Sequence, residues 1–148
     1  MAETPIPPET EREETSAYLR SAKQYMDEGS NEQAILMLKA ALMLEPNNPQ
    51  ILIKLAVAYF TIEKYDEAGP LLQRAHQLDP SEPDAVLGLG DFYVCTRRWD
   101  EALEQIGTLY PLHQGKAFVL FRDILYGFND LLFERLFEIS SKHANQAK

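Results

Sequence analysis

The sequence predicts an all-α protein, a solenoid of stacked helix pairs, and three regularities lead there. Tyr25, Tyr59 and Tyr93 lie 34 residues apart, as do Ala34, Ala68 and Ala102, and Ala22, Ala56 and Gly90. Leu44 and Leu78 keep the same interval, and so do Pro46 and Pro80. Turn-forming residues recur in phase with them. A period of this size marks an array of two-helix units that bury their apolar faces on one another.

Each unit opens with a helix carrying a small residue three positions before an aromatic: Ser21-Ala22 before Tyr25, Leu55-Ala56 before Tyr59, Leu89-Gly90 before Tyr93. Positions three apart share a helix face, so the small residue lets a neighbouring helix approach beside the ring. Polar turns follow at Glu28-Gly29-Ser30-Asn31, Glu63-Lys64-Tyr65-Asp66 and Arg97-Arg98-Trp99-Asp100. In them Asn31, Asp66 and Asp100 are expected as N-caps, and Trp99 as packing between helices. Second helices then present Ala34, Ala68 and Ala102 at the tight crossing. Leu38, Leu72 and Ile106 supply the large contact, and Ala41 and Ala75 a small one. Proline cannot continue the hydrogen-bond ladder, so Glu45-Pro46-Asn47-Asn48-Pro49 and Asp79-Pro80-Ser81-Glu82-Pro83 end the first two second helices. Leu109-Tyr110-Pro111 is expected to break the third one early.

This pattern resembles the tetratricopeptide repeat family. The matching residues are Tyr18, Ala22, Tyr25, Ala34, Leu38, Ala41 and Pro46; then Leu52, Leu55, Ala56, Tyr59, Ala68, Leu72, Ala75 and Pro80; then Val86, Leu89, Gly90, Tyr93, Ala102 and Ile106. The resemblance implies a right-handed α-solenoid of three helix pairs at 15–48, 49–82 and 83–112, followed by a C-terminal capping helical segment and tail at 113–148.

Composition narrows the function. The formal net charge of −9 and the near absence of adjacent cations beyond Arg97-Arg98 argue against nucleic acid. Residues 1–14 hold five Glu, three Pro and one Arg, with no apolar core of a signal peptide, and are expected to be a disordered acidic tail. The apolar runs are too short for a membrane span, and the single Cys95 excludes an internal disulfide. A cytoplasmic protein is the expectation. His76, His113 and His143 have no ligand spacing, and there is no phosphate loop or nucleophile elbow, so neither cofactor, metal site nor enzymatic activity is expected.

In the family the first helices line a cradle. The inward positions fall here on Ser16, Leu19, Lys23, Met26 and Asp27, on Gln50, Ile53, Val57, Phe60 and Thr61, and on Asp84, Leu87, Asp91, Val94 and Cys95. Leu19, Lys23, Met26, Ile53, Val57, Phe60, Leu87, Asp91 and Val94 are the candidate groove residues. Some family members clamp the C-terminal carboxylate of heat-shock chaperones with Lys and Asn at such positions. Leu19, Asp84 and Gly88 stand at three of them here, and an acid at Asp84 would repel a carboxylate. The groove instead suits an apolar or amphipathic segment of a partner protein. Small acidic proteins with three such repeats also resemble the chaperones that hold type III secretion subunits before export, although a long helical N-terminal region is missing.

A second surface competes for attention. Phe118, Phe121, Leu125, Phe128, Leu132 and Leu136 recur at helical spacing, with Leu120, Ile124, Leu131, Phe133 and Phe137 on other faces. A helix so broadly apolar must be covered on more than one side, and Gly127 and Asn129 are candidate break points. It would cap the array, fill the cradle, pair two copies or form a second partner site. The alternative function is therefore an assembly subunit that oligomerises through this helix, with its groove self-occupied.

Overall fold

The computed structural model describes residues 9–146, with side-chain surroundings given as far as Leu132 and at Glu134, Phe137 and Glu138. Seven helices make up the described residues: α1 (Glu9–Asp27), α2 (Asn31–Leu44), α3 (Pro49–Thr61), α4 (Tyr65–Leu78), α5 (Pro83–Cys95), α6 (Trp99–Leu112) and α7 (Gln114–Gln146). α1 packs on α2, α3 on α4 and α5 on α6 as antiparallel hairpins. α2 then packs on α3 and α4 on α5, which stacks the hairpins into a helix-pair solenoid. α7 lies on α5 and α6.

Within each hairpin the turn is the same device. Gly29, Glu63 and Arg97 adopt positive φ of 76°, 59° and 59°. Ser30 N–H donates to the Tyr25 carbonyl at 2.8 Å, Lys64 to Tyr59 at 3.0 Å and Arg98 to Tyr93 at 2.8 Å. Gly29, Glu63 and Arg97 donate to Met26, Phe60 and Val94 at 3.1, 3.0 and 3.1 Å, which completes a Schellman closure three times. Glycine meets the left-handed requirement only in the first turn; Glu63 and Arg97 meet it at a steric cost.

This closure corrects the expected N-caps. Ser30, Lys64 and Arg98 both end one helix and open the next, their carbonyls accepting from Ala34, Ala68 and Ala102. None of the three makes a side-chain cap hydrogen bond. Asn31 is already the first helical residue, and Asp66 and Asp100 lie in the first turn, where their charge faces the positive helix end. Side-chain caps occur between hairpins instead. Asn48 Oδ1 accepts from Gln50 and Ile51 at 3.0 and 3.4 Å, Glu82 Oε1 accepts from Asp84 at 3.2 Å, and Pro49 and Pro83 follow at the favoured first position.

Three further expectations are revised. Helix α1 starts at Glu9, so 9–14 are helical; 1–8 lie outside the described residues. Pro111 does not truncate α6, which has the same 14 residues as α2 and α4. It sits in the last turn of the helix. Nor do Gly127 and Asn129 split α7, which is continuous for 33 residues, with Trp99 packed beside Gly127.

The core follows the repeat. Ala34, Ala68 and Ala102 are fully buried at the hairpin crossings, and Ala22, Ala56 and Gly90 are buried where first helices meet their neighbours. One cluster spans α1 to α5 around Leu38, Leu52, Leu55 and Leu72. A second, of Val86, Ala102, Leu109, Ala117, Leu120 and Ile124, joins α7 to the third hairpin. Its key is Gly90: a Cβ there would stand 2.4 Å from Leu120 Cδ2. Gly90→Val should therefore destabilise the protein by about 1–3 kcal/mol through overpacking. Gly107→Ala, mid-helix in open space, should stabilise it by about 0.5–1 kcal/mol. Urea unfolding midpoints of the two variants check both signs.

Candidate functional site

The first helices α1, α3 and α5 stand side by side and enclose a cavity of about 450 Å³. Its apolar lining is Leu19 and Met26 from α1, Ile53 and Val57 from α3 and Leu87 from α5, with Ala22 and Leu38 behind them. Helical spacing explains the grouping. Leu19, Lys23 and Met26 recur at four and three residues, as do Gln50, Ile53 and Val57 at three and four, so each helix turns one stripe inward. Ile53 is buried in the floor, whereas Val57 is 44% exposed at its centre. An exposed β-branched apolar residue between two helices is what an unfilled contact looks like.

Seven of the nine predicted groove residues line this cavity: Leu19, Lys23, Met26, Ile53, Val57, Leu87 and Asp91. Phe60 and Val94 do not. Phe60 turns onto the Tyr65 ring, with centroids 5.5 Å apart, and packs on the main core. Val94 packs in the second core cluster and lies near Gly127 of α7, so the last turn of α5 is occupied by the capping helix. Ser16, Thr61 and Cys95 are exposed and also lie outside the lining. Lys54 was not anticipated. It follows Gln50 by four residues and precedes Val57 by three, which places it on the rim of the same stripe.

Charge is distributed unevenly around the apolar floor. The cavity is lined by Lys23 and Lys54 against Asp27, Asp84 and Asp91. Lys23 Nζ meets Asp27 Oδ2 at 3.0 Å within α1, and Asp84 meets Lys116 from the start of α7. Both pairs are partly solvated and contribute little to stability. Asp91 differs. Desolvation between α5 and α7, and then the nearby Asp123 carboxylate, push its pKa up to about 6. A carboxylate is thus held at one end of an apolar trough with a like charge behind it.

The remaining candidate groups are dispersed. Desolvation and Asp91 raise the Cys95 thiol above its ordinary value against a hydrogen bond from Tyr65, which keeps the reactive thiolate scarce. His113 caps α7, its Nδ1 accepting from Lys116 N–H at 3.2 Å, and His76 lies near the end of α4. His143 lies outside the described side chains. Among the described residues no three His, Cys, Asp or Glu side chains gather where they could hold a metal ion. No described helix is long and apolar enough to cross a membrane.

The second predicted surface is placed clearly. α7 turns Ala117, Leu120 and Ile124 into the core and leaves Phe118, Phe121, Leu125, Phe128 and Leu132 exposed. Capping is therefore done by Leu120 and Ile124, expected on other faces, together with Ala117. Trp99 does pack between helices, against Gly127 and edge-on to Phe128 at 5.8 Å. Leu136 lies outside the described side chains. α7 rests on α5 and α6 and does not enter the trough, so among the described residues the groove is not self-occupied.

Hairpins stacked in this way, with their first helices around a trough, define a helix-pair solenoid. The model described as TPR repeat matches residues 22–63 and the tetratricopeptide repeat model matches 62–117. Residues 22–117 are tetratricopeptide repeats, and the protein belongs to that class of solenoids. No curated protein matches the sequence significantly. Solved structures share the fold. The first TPR domain of Spaghetti (RPAP3), bound to the HSP90 peptide SRMEEVD, superposes with a TM-score of 0.72 at 20% identity, over 79% of this chain and 94% of that one. The Arabidopsis OM64 TPR domain gives 0.72 at 16% identity, over 78% and 98%. MamA gives 0.64 at 24% identity, over 80% of each chain.

Asp91 supplies a pH test of the trough. Its folded pKa, about 6, lies above that of an unfolded Asp near ~3.9, so the folded state binds the extra proton between those values. Stability should fall as pH rises through that window, and the full penalty should persist above it. Asp91→Asn should accordingly raise stability by about 1–3 kcal/mol at neutral pH and by almost nothing near pH 4. Urea titrations at the two pH values measure the difference.

Proposed function

We propose that the protein is a protein-interaction module that holds an apolar or amphipathic segment of a partner protein in the trough between α1, α3 and α5. The open apolar floor carries this reading. Leu19, Met26, Ile53, Val57 and Leu87 form a continuous lining that no described part of the chain covers. Burying a side chain of Leu or Phe size there would contribute roughly 1.5–3 kcal/mol. Asp91 adds a preference. A partner bringing Lys, Arg or an amide donor to that end would pair a carboxylate that is otherwise left desolvated.

The charge pattern also separates this trough from an acidic-peptide site. The Spaghetti domain binds SRMEEVD. This lining places Leu19, Asp84 and Gly88 at clamp positions and carries three Asp against two Lys. A segment ending in several carboxylates would meet net repulsion. A cytoplasmic chaperone for export-bound subunits is one form of the proposal, supported by size, acidity, repeat number and groove polarity. No catalytic step is assigned.

The experiment is a capture from native extract followed by binding measurements on a synthetic peptide of the segment recovered. Val57→Glu places a charge at the exposed centre of the floor and should weaken that peptide by roughly 100-fold while leaving the helical circular dichroism unchanged. Phe118→Glu, on the far side of α7, should leave its affinity as it was. Equal binding by wild type and Val57→Glu would refute the groove as the site.

A further inference from the structure

We infer that the outer face of α7 is a helix-pairing seam on which a second copy of this chain docks, giving a closed two-fold dimer independent of the trough. Phe118, Phe121, Leu125, Phe128 and Leu132 follow one another at intervals of three, four, three and four residues. That alternation keeps five large side chains on one stripe and is the spacing by which two helices interdigitate. Phe118 is 70% exposed and Leu125 53%. An adjoining face of the same helix, Ala117, Leu120 and Ile124, is locked into the third hairpin, with Phe128 at the border against Trp99. Further along, Arg97 reaches Glu134 at 3.3 Å in an exposed ion pair. The seam is therefore presented on an already ordered element, so docking costs little further backbone entropy.

Area and charge together identify the occupant. With roughly 200 Å² of surface per aromatic side chain, the five exposures leave on the order of 500 Å² of side-chain apolar area uncovered. Paired with its own copy, that removes about 1,000 Å², near the lower bound for a specific interface, before flanking residues add to it. A patch of this size is also at the upper end of what a monomer leaves exposed. The whole chain has a formal charge of −9, so most approaches of one copy to another are repulsive. Helix α7 is the exception: Gln114–Gln146 holds four Lys or Arg and four Asp or Glu, a net charge of zero. It is a neutral, apolar strip on an acidic protein, where like copies meet without like charges. Because the same stripe serves both copies, the contact is isologous and closes at two.

Sedimentation equilibrium of the full chain tests this. Wild type should show twice the 16.9 kDa chain mass. Phe121→Glu combined with Leu125→Glu should dissociate it, weakening association on the order of 100-fold with an unchanged helical signal. Should that variant lose helicity, Phe121→Ala with Leu125→Ala retains helix propensity and is read in its place. Val57→Glu, in the trough, should remain dimeric, which separates failure of this inference from failure of the groove reading. A wild-type monomer, a dimer that survives both seam variants, or an assembly growing beyond two would overturn it.

Discussion

Everything in this molecule depends on how closely helices approach at the small residues of each unit. Ala34, Ala68 and Ala102 are fully buried at successive hairpin crossings, and Ala22, Ala56 and Gly90 are buried against the adjoining helices. A larger side chain at any of these places would separate two helices and forfeit the dispersion contacts that surround the gap. Because each unit touches only its neighbours, the approach distance set at one crossing passes to the next. The spacing of α1, α3 and α5 follows, and with it the width of the trough. The width of the trough is thus a consequence of small residues buried where helices cross.

Helix α7 ends the array by inverting this rule. At the positions one period beyond Gly90 and Tyr93 stand Ile124 and Gly127, so the large and small partners have exchanged places. Leu120 enters the space left by Gly90, and Trp99 enters the space left by Gly127. The helix consequently seats well on the third hairpin, covers Val94 and the last turn of α5, meets the trough only at Asp84 and Asp91, and leaves its apolar floor uncovered. Phe118, Phe121, Leu125, Phe128 and Leu132 stay exposed because one hairpin face is only wide enough to cover one side of a helix.

The repeat was legible because a 34-residue period expresses itself in residue size, which sequence displays directly. Seven groove positions were legible for the same reason, through helical stripes. Misassignments arose where a tertiary contact overrode a local rule. Asn31, Asp66 and Asp100 have cap chemistry, but the Schellman closures at Gly29, Glu63 and Arg97 had already set the helix starts. Phe60 and Val94 have groove register, but a ring at Tyr65 and a glycine at Gly127 offered closer packing. Which stripe of α7 would face inward could not be read from its own composition. The choice follows Gly90, whose missing Cβ leaves the space that Leu120 occupies.

Among the described residues the trough between α1, α3 and α5 is left open. Methyl-to-aromatic nuclear Overhauser contacts test it directly, with Ile, Leu, Val and Met methyls labelled. The account predicts cross-peaks linking the Leu19, Met26, Ile53, Val57 and Leu87 methyls across the three helices, and Leu120 to Gly90. It predicts none from Ile53 or Val57 to the rings of Phe118, Phe121, Phe128 or Phe137. Contacts from those α7 rings onto Ile53 or Val57 would show the groove filled from within and contradict the account.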